Sequence, residues 1–580
     1  MNSIKRLIVV IIMTMVFGFA VTPRITNTQA CTNIIGDIPV NSRSIPYLGN
    51  NRGPGDQIGT TWYDYQANGS FGQRIDVDGN GQAHIDWMKM DGAQTQRFCA
   101  WNARYADGSY YGETQACWSW TGYVQLDITR DADPNNQRTV INFHEFGAQY
   151  YSWIDIDGGN LWGSWSNDPK NLGVLNHVWP KIAVANNGNI VMVTGDYTGN
   201  FHHLYVSTDN GNNWTSIADF DSCACLSQHV RASENTGSNK VVFVNTSYIT
   251  DSIASGQLDN DVHYMLSTDG GVTWGARTNI TNYQPSDSVR AYCSVNAVFD
   301  HNDNLHITWA GRRVTDNYYD ASNIYHWDEV SGNTTIVNSP SIYYTNDWWI
   351  AATGGGDYGS WRMPADQPQM IADANGDLYC LWHGNDDYND YAADGFINGE
   401  FYGAISYDNG ATWTDYRNLT GTRSPGAGAG ACDDEDYMSA CPKIVNDSIF
   451  LTYIEDKDAG GWPQTEGVLT DNPVRCWVFD KSYVGIEEGQ QSVPQRAGLD
   501  LYPNPSLRTS VMSYAIVRSG DVRIALYDAT GRLVDILDKG YRTAGFYKLD
   551  ISTADIASGT YFVVLDTPTE KVSRSLVIMH

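Results

Sequence analysis

One phrase, present three times, constrains this chain more than any other feature. Residues 207–214 read STDNGNNW, 267–274 read STDGGVTW and 406–413 read SYDNGATW, each fitting Ser-x-Asp-x-Gly-x-x-Trp. The phrase suits a tight hairpin turn headed by Ser207, Ser267 or Ser406. The carboxylates of Asp209, Asp269 and Asp408 can accept hydrogen bonds from N–H groups of their own turn. Gly211, Gly271 and Gly410 can take φ > 0 without a Cβ clash. Trp214, Trp274 and Trp413 open the return strand and offer a large apolar face to a neighbouring sheet.

A second repeat runs between these turns: strand, Asn/Asp/Gly turn, strand. Clear copies start at Arg74, Lys181, Asn296 and Gln369, and weaker ones at Gln125, Ala232 and Lys443. Their turns end near residues 81, 137, 188, 239, 303, 376 and 447. This spacing gives room for one four-stranded unit per copy, and an array of such units forms a propeller. Seven blades follow if every copy counts, and six if the weak copy at 137 is an insertion. The three Ser/Asp/Gly/Trp phrases resemble the Asp box, or bacterial neuraminidase repeat, of sialidase-like β-propellers. The resemblance implies an all-β fold, a six- or seven-bladed propeller over 51–484, with 31–50 as an N-terminal segment.

Lys5 and Arg6 precede an apolar run from Leu7 to Val21, and the stretch ends Thr28-Gln29-Ala30. Fifteen apolar residues are short for a spanning helix, so 1–30 reads as a secretory signal. No later stretch is apolar enough to span a membrane. An exported chain can oxidise its ten Cys, and Cys99–Cys117 and Cys432–Cys441 are the favoured disulfides. The net charge of −30 argues against nucleic acid or an anionic membrane as partner.

Residues 485–498 lose the aromatic pattern and read as a linker. Beyond them, 499–580 alternate short strands with Gly, Asn and Asp turns, the size of a small immunoglobulin-like β-sandwich. Tyr502-Pro503-Asn504-Pro505, the turn Tyr527–Arg532, Ala557–Phe562 and Arg574 before a terminal apolar strand resemble the type A C-terminal sorting domain of the type IX secretion system of Bacteroidetes. That resemblance implies the type IX secretion machinery as partner. It also implies a secreted or outer-membrane-surface location after export through the periplasm.

Propeller geometry narrows the search for a ligand site. The turn between the first two strands of a blade and the turn between its last two lie at one end. Ligands enter at the other end, where first strands begin and second strands finish. Before first strands lie Arg74, Arg231, Arg290 and Arg362; after second strands lie Glu145, Asp196, Arg312, Arg313, His383, Asp386, Glu455 and Asp456. In the sialidases that the repeats resemble, three Arg groups clamp the substrate carboxylate, a Tyr paired with Glu is the nucleophile and an Asp is the acid. Arg74-Ile75 matches part of the family's Arg-Ile-Pro motif, with Asp76 in place of Pro, and Trp309–Arg313 is similar to a second family phrase. No nucleophile can be chosen among 36 Tyr.

No cofactor is required by these motifs. Calcium could occupy the acidic run holding Asp386, Asp387 and Asp390, or that of 433–436, although a solvated acidic loop is the simpler reading of both. Asp76–Gly81 looks like half a calcium loop but lacks Glu at its twelfth position, and reads as a plain turn. Two functions remain. One is a secreted or cell-surface propeller that binds glycan or a surface protein; the other is an exo-acting glycoside hydrolase of sialidase type. The degenerate Arg motif favours the first.

Overall fold

The computed structural model describes residues 44–45, 53–485 and 498–579, apart from 68, 147–149, 159–162, 166–168, 197–200, 225, 250–258, 316–317, 339–356, 386–389, 503, 505, 507, 517, 519, 543–544, 555 and 569–570. The signal at 1–30, the interior of the linker, Asp386 and Asp387 lie outside the described residues. The chain divides into two compact units, Met1–Gly485 and Ile486–His580.

The first unit contains seven four-stranded antiparallel blades among the described residues, the fourth and fifth of them joined into one eight-stranded sheet where Asn260 pairs with Ala291. Blade 1 is Ile75–Val77, Ala83–Met90, Arg97–Arg104 and Thr114–Gln115. Blade 2 is Thr121–Ile128, Thr139–Glu145, Ser152–Ile156 and Lys170–Asn171. Blade 3 is His177–Val184, Ile190–Asp196, His202–Ser207 and Thr215–Phe220. Blade 4 is His229–Ala232, Val241–Tyr248, Asn260–Ser267 and Thr278–Asn279. Blade 5 is Val289–Phe299, Leu305–Thr315, Tyr318–Asp328 and Thr334–Ile336. Blade 6 is Ala365–Ala372, Leu378–Gly384, Glu400–Ser406 and Arg417–Asn418. Blade 7 is Asp434–Ala440, Ser448–Asp456 and Asn472–Asp480, completed by Asp56–Thr61 from the start of the chain.

First strands of successive blades pack side by side around the ring, and blade 7 packs against blade 1. The seven repeat turns are the seven turns between first and second strands. The weak copy near 137 is therefore a true blade, its turn formed by the short 3-10 segment Pro134–Asn136. Closure by Asp56–Thr61 pairs that strand with Asn472–Asp480, which covers an edge that would otherwise be open.

The Ser/Asp/Gly/Trp phrases form the last turns of blades 3, 4 and 6. In each, the Asp carboxylate accepts from a backbone N–H four residues on: Asn213, Thr273 and Thr412, all at 2.8 Å. The Ser hydroxyl donates to that carboxylate and accepts the buried Gly N–H, as in Ser267 with Gly271 at 2.8 Å. Gly271 has φ +87°, and a Cβ there would lie 2.3 Å from Val191 of blade 3. A Cβ at Gly410 would strike His326 of blade 5. Each glycine is thus required twice, by its φ and by the close approach of the preceding blade.

The connection from Asp56–Thr61 to blade 1 fills the central channel. Ser70 Oγ donates to Ser227 O at 2.8 Å and accepts from Val295 N at 2.9 Å, while Ser70 O accepts from Lys181 Nζ at 2.5 Å. Gln73 O accepts from Leu126 N, Phe71 O from Gln369 Nε2 and Gly72 O from Ser439 Oγ. Six blades therefore hold this plug by hydrogen bonds, and Tyr63, Tyr65 and Phe71 are buried in it.

Two sequence expectations change here. The run Asp434-Glu435-Asp436 is not a solvated loop; it begins the buried first strand of blade 7. That strand separates Cys432 from Cys441. Seven extended residues span about 20 Å or more, beyond the roughly 7 Å Cα reach of a disulfide, so the two thiols stay apart, each buried. Cys99 and Cys117 are neighbours, with Cys117 Sγ accepting from Cys99 N at 3.0 Å, and both are thiols here.

The second unit is a two-sheet β-sandwich. Gly498–Tyr502, Thr509–Ile516 and Gly545–Ser552 form one sheet; Leu533–Arg542, Gly520–Asp528, Gly559–Asp566 and Lys571–Ile578 form the other. Leu499, Met512, Ile524, Leu526, Val563, Leu565 and Leu576 make its core.

Candidate functional site

The mouth where first strands begin is shaped by β-bulges. In blades 2, 3, 5, 6 and 7 the register between first and second strands shifts by extra residues on the first strand. Four of these bulges hold a non-glycine residue at positive φ: Tyr123 (54°), Trp179 (52°), Gln367 (50°) and Tyr437 (56°). Left-handed backbone at a bulky residue costs energy and is tolerated where surrounding structure fixes it. Bulges re-aim side chains, and here they turn the same rung of several blades toward one mouth.

Two narrow crevices, each with about 10 Å³ of free volume, lie beside Tyr123, Trp179 and Tyr437. One, between blades 2 and 3 and the plug, is lined by Gln66, Arg74, Tyr123, Gln125, Trp179 and Lys181. Arg74 is buried, bonds Gln66 and sits 4.7 Å over the Phe71 ring; burial lowers its pKa to about 10. Burial also lowers Lys181 to about 7. The other crevice, between blades 6 and 7, is lined by Tyr65, Tyr358, Arg362, His383, Asp434, Asp436, Tyr437 and Glu466.

In this second crevice the Arg362 guanidinium lies 4.3 Å over the Tyr437 ring and bonds Asp436 at 2.5 Å. His383 Nε2 lies 2.9 Å from the other Asp436 oxygen. Burial opposes ionisation of Asp436, but Arg362 and His383 hold it below the usual carboxylate range. Two residues earlier, Asp434 is pushed well up by burial and by the charge on Asp436. Glu466 fixes the rim by accepting from Ser360 N and Oγ and from Gly461 N.

The other residues singled out by sequence scatter around the mouth. Arg290 and Arg312 share one oxygen of Asp259, each at 2.5 Å. Glu145 accepts from Trp153 Nε1 at 3.2 Å, and Asp196 from Phe201 N. Glu455 points away from the crevice, into an ion cluster with Arg475 and Lys457. Arg313 is placed by its backbone alone, opposite Val289 in blade 5. Asp390 is buried and accepts from Asn398 and Ser424. Arg231 lies nearer the opposite mouth, where its Nε donates to Ala297 O. A hollow of about 670 Å³ opens at that opposite end, with Arg130 and Lys443 tied to Asp76 and Glu234. Of Asp76–Gly81, Asp76 and Val77 end the first strand of blade 1 and Asp78–Gly81 form a turn, with Asp78 accepting from Asn80 N and Gln82 N.

Among the described residues, then, three guanidinium groups do not converge on one point. Arg362 and His383 were found by position. Of the partners that make their crevice, Asp434 and Asp436 were singled out only within the acidic run 433–436, as a possible calcium site or a solvated loop, and Tyr437 and Tyr65 were missed. The acidic run hid a strand, and the bulge at Tyr437 breaks the alternation that would have marked it.

Comparison with known proteins separates the two units. Residues 500–579 match the family described as Secretion system C-terminal sorting domain. The chain is an exported protein. It is destined for the medium or the cell surface, and among the described residues no helix is long and apolar enough to cross a membrane. A search of curated proteins finds no match. Solved structures similar to the exported chain include a polysaccharide lyase of family PL25, an ulvan lyase bound to -[GlcA(1-4)Rha3S]-, at 10% identity and TM-score 0.43, covering 73% of this chain and 96% of that one. The α-L-arabinofuranosidase Arb93A from Fusarium graminearum aligns at 10% identity and TM-score 0.36, covering 74% and 99%. The β-propeller domain of the trilobed protease from Pyrococcus furiosus aligns at 8% identity and TM-score 0.34, covering 73% and 99%. These are likenesses of fold.

Proposed function

We propose that the exported propeller binds glycan at the mouth of the narrow crevice between blades 6 and 7. The observation that carries this reading is the meeting of the partly exposed Tyr358 and Glu466 at the rim with the buried Tyr65, Tyr437, Arg362 and His383 beneath them. Aromatic faces suit the apolar faces of sugar rings, and a small number of fixed polar groups orients the hydroxyls. Arg362 Nη1 is buried without a hydrogen-bond partner among the described residues, so it has a donor to offer. The strained bulge at Tyr437 supports the same reading, because strain of this kind collects at ligand clamps.

The alternative is an exo-acting glycoside hydrolase of sialidase type. In its favour are two carboxyl groups, Asp434 and Asp436, with oxygens within 4.8 Å of each other in the same crevice. Against it stands the absence of converging guanidinium groups among the described residues. A glycan array and a panel of chromogenic glycosides, both run on the purified mature chain, separate the readings. Binding without turnover supports the first, turnover lost in Asp436→Asn supports the second, and neither binding nor turnover defeats both.

A further inference from the structure

Blade 7 places acids directly opposite acids. Asp434 pairs with Asp456 across the first two strands, and Glu435 pairs with Glu455. Like charges in facing positions destabilise a sheet. On one face the conflict is relieved for Glu455, which bonds Arg475 and Lys457 while Lys457 also reaches Asp433. Glu435 there accepts from Thr422 Oγ1 and keeps a buried Oε1 without a hydrogen-bond partner among the described residues, and its face holds an imidazole-free set of acids. On the other face it is not. Asp64 of the plug joins Asp434, Asp436 and Asp456 there, and all four are buried. The cation bonded on that face is Arg362, which takes a single oxygen of Asp436.

The remaining valences point inward. Asp64 Oδ1 and Asp456 Oδ2 are buried with no hydrogen-bond partner among the described residues. Their second oxygens are held, Asp64 Oδ2 by Trp462 N at 2.9 Å and Asp456 Oδ1 by Asp458 N at 3.1 Å. His383, which is not an acid, is buried too. Its Nε2 lies 2.9 Å from Asp436 but outside hydrogen-bonding geometry, and is also without such a partner there. Donor atoms of His383, Asp434 and Asp436 all fall within 4.8 Å of one another. Burying uncompensated carboxylates is costly enough that they must be neutralised by protons or by a bound cation.

We infer that His383, Asp434 and Asp436 bind a divalent metal ion, with Asp64 and Asp456 completing its charge balance. One imidazole nitrogen among carboxylate oxygens is a donor set for Zn²⁺ or Mn²⁺ rather than for Ca²⁺, which takes oxygen alone. Arg362 holds the outer oxygen of Asp436 and so orients the ligating one. The site stands independently of glycan binding, although it floors the same crevice.

The test uses the full mature chain, stripped with chelator, reloaded with Zn²⁺, Mn²⁺ or Ca²⁺ and desalted. The expected result is about one equivalent of zinc or manganese per chain by elemental analysis, with a higher melting midpoint in the loaded protein. His383→Gln should lower the retained metal about tenfold. Should His383→Gln fail to fold, a Co²⁺ titration of the unaltered protein decides: a visible absorption band displaced one for one by Zn²⁺ supports the site, and no band overturns it. Retention below about a tenth of an equivalent, a midpoint that only calcium raises, or a folded His383→Gln chain that keeps its metal would each overturn the inference.

Discussion

Ser267 and Asp269 do different work in one turn. The Asp269 carboxylate accepts from Val272 N and Thr273 N at the exposed tip, where water can replace it. Ser267 Oγ accepts the buried Gly271 N–H, for which no water is at hand. Stranding a buried donor costs about 1–3 kcal/mol, and losing an exposed bond costs about 1 kcal/mol or less. Chemical denaturation should therefore find Ser267→Ala more destabilising than Asp269→Ala, and the reverse order would contradict the division. Where the third turn meets blade 5, His326 stacks on His306 and lies edge-on to Trp413. Burial, helped by His306, lowers His326 to about 3, below the ordinary value of 6.5. The unfolded chain then binds more protons than the folded one between these values. Stability from this group is complete above about pH 6.5 and is lost as the pH falls toward 3. Asp328 opposes the shift, as an anion should. Melting midpoints between pH 7 and 4.5 should fall less in His326→Gln than in the parent, and parallel curves would contradict this.

At the scale of elements, spacing was legible and irregularity was not. Seven Asn/Asp/Gly turns marked six or seven blades, the weak copy near 137 leaving the count open, because each turn sits between two alternating strands. The bulges at Tyr123, Trp179, Gln367 and Tyr437 insert residues that break that alternation, so the part of each strand that shapes the mouth looks least like a strand. The first strand of blade 7 was hidden for a related reason. Asp434 and Asp436 read as solvent-facing until Arg362 and His383, from blade 6 and its entry, are brought beside them by the ring. The closing strand Asp56–Thr61 was legible only as part of the propeller segment. Deleting residues 53–61 should expose the edge of Asn472–Asp480, lower the melting midpoint and promote self-association, as seen by light scattering. An unchanged monomer would show that the strand does not close the ring. Cys99 and Cys117 are the neighbouring pair left after Cys432–Cys441 is excluded, so peptide mapping without reductant should find a Cys99–Cys117 crosslink in exported protein; free thiols at both would contradict it.

At the scale of the molecule, the propeller and the sandwich have separate cores. Removing residues 499–580 should leave a folded propeller retained in the periplasm, since the domain that addresses the chain for export is gone. Cell fractionation checks this, and normal yield in the medium would show the address to lie elsewhere. The central claim is that glycan enters between blades 6 and 7. Tyr358 stands at that rim and is only partly buried, so its ring can be removed with little harm to the core. The most direct measurement is calorimetric titration of the mature chain and of Tyr358→Ala with the strongest glycan from the array. The account predicts at least about a tenfold weaker affinity in Tyr358→Ala with an unchanged melting midpoint. Equal affinity in both proteins would place the ligand elsewhere and contradict it.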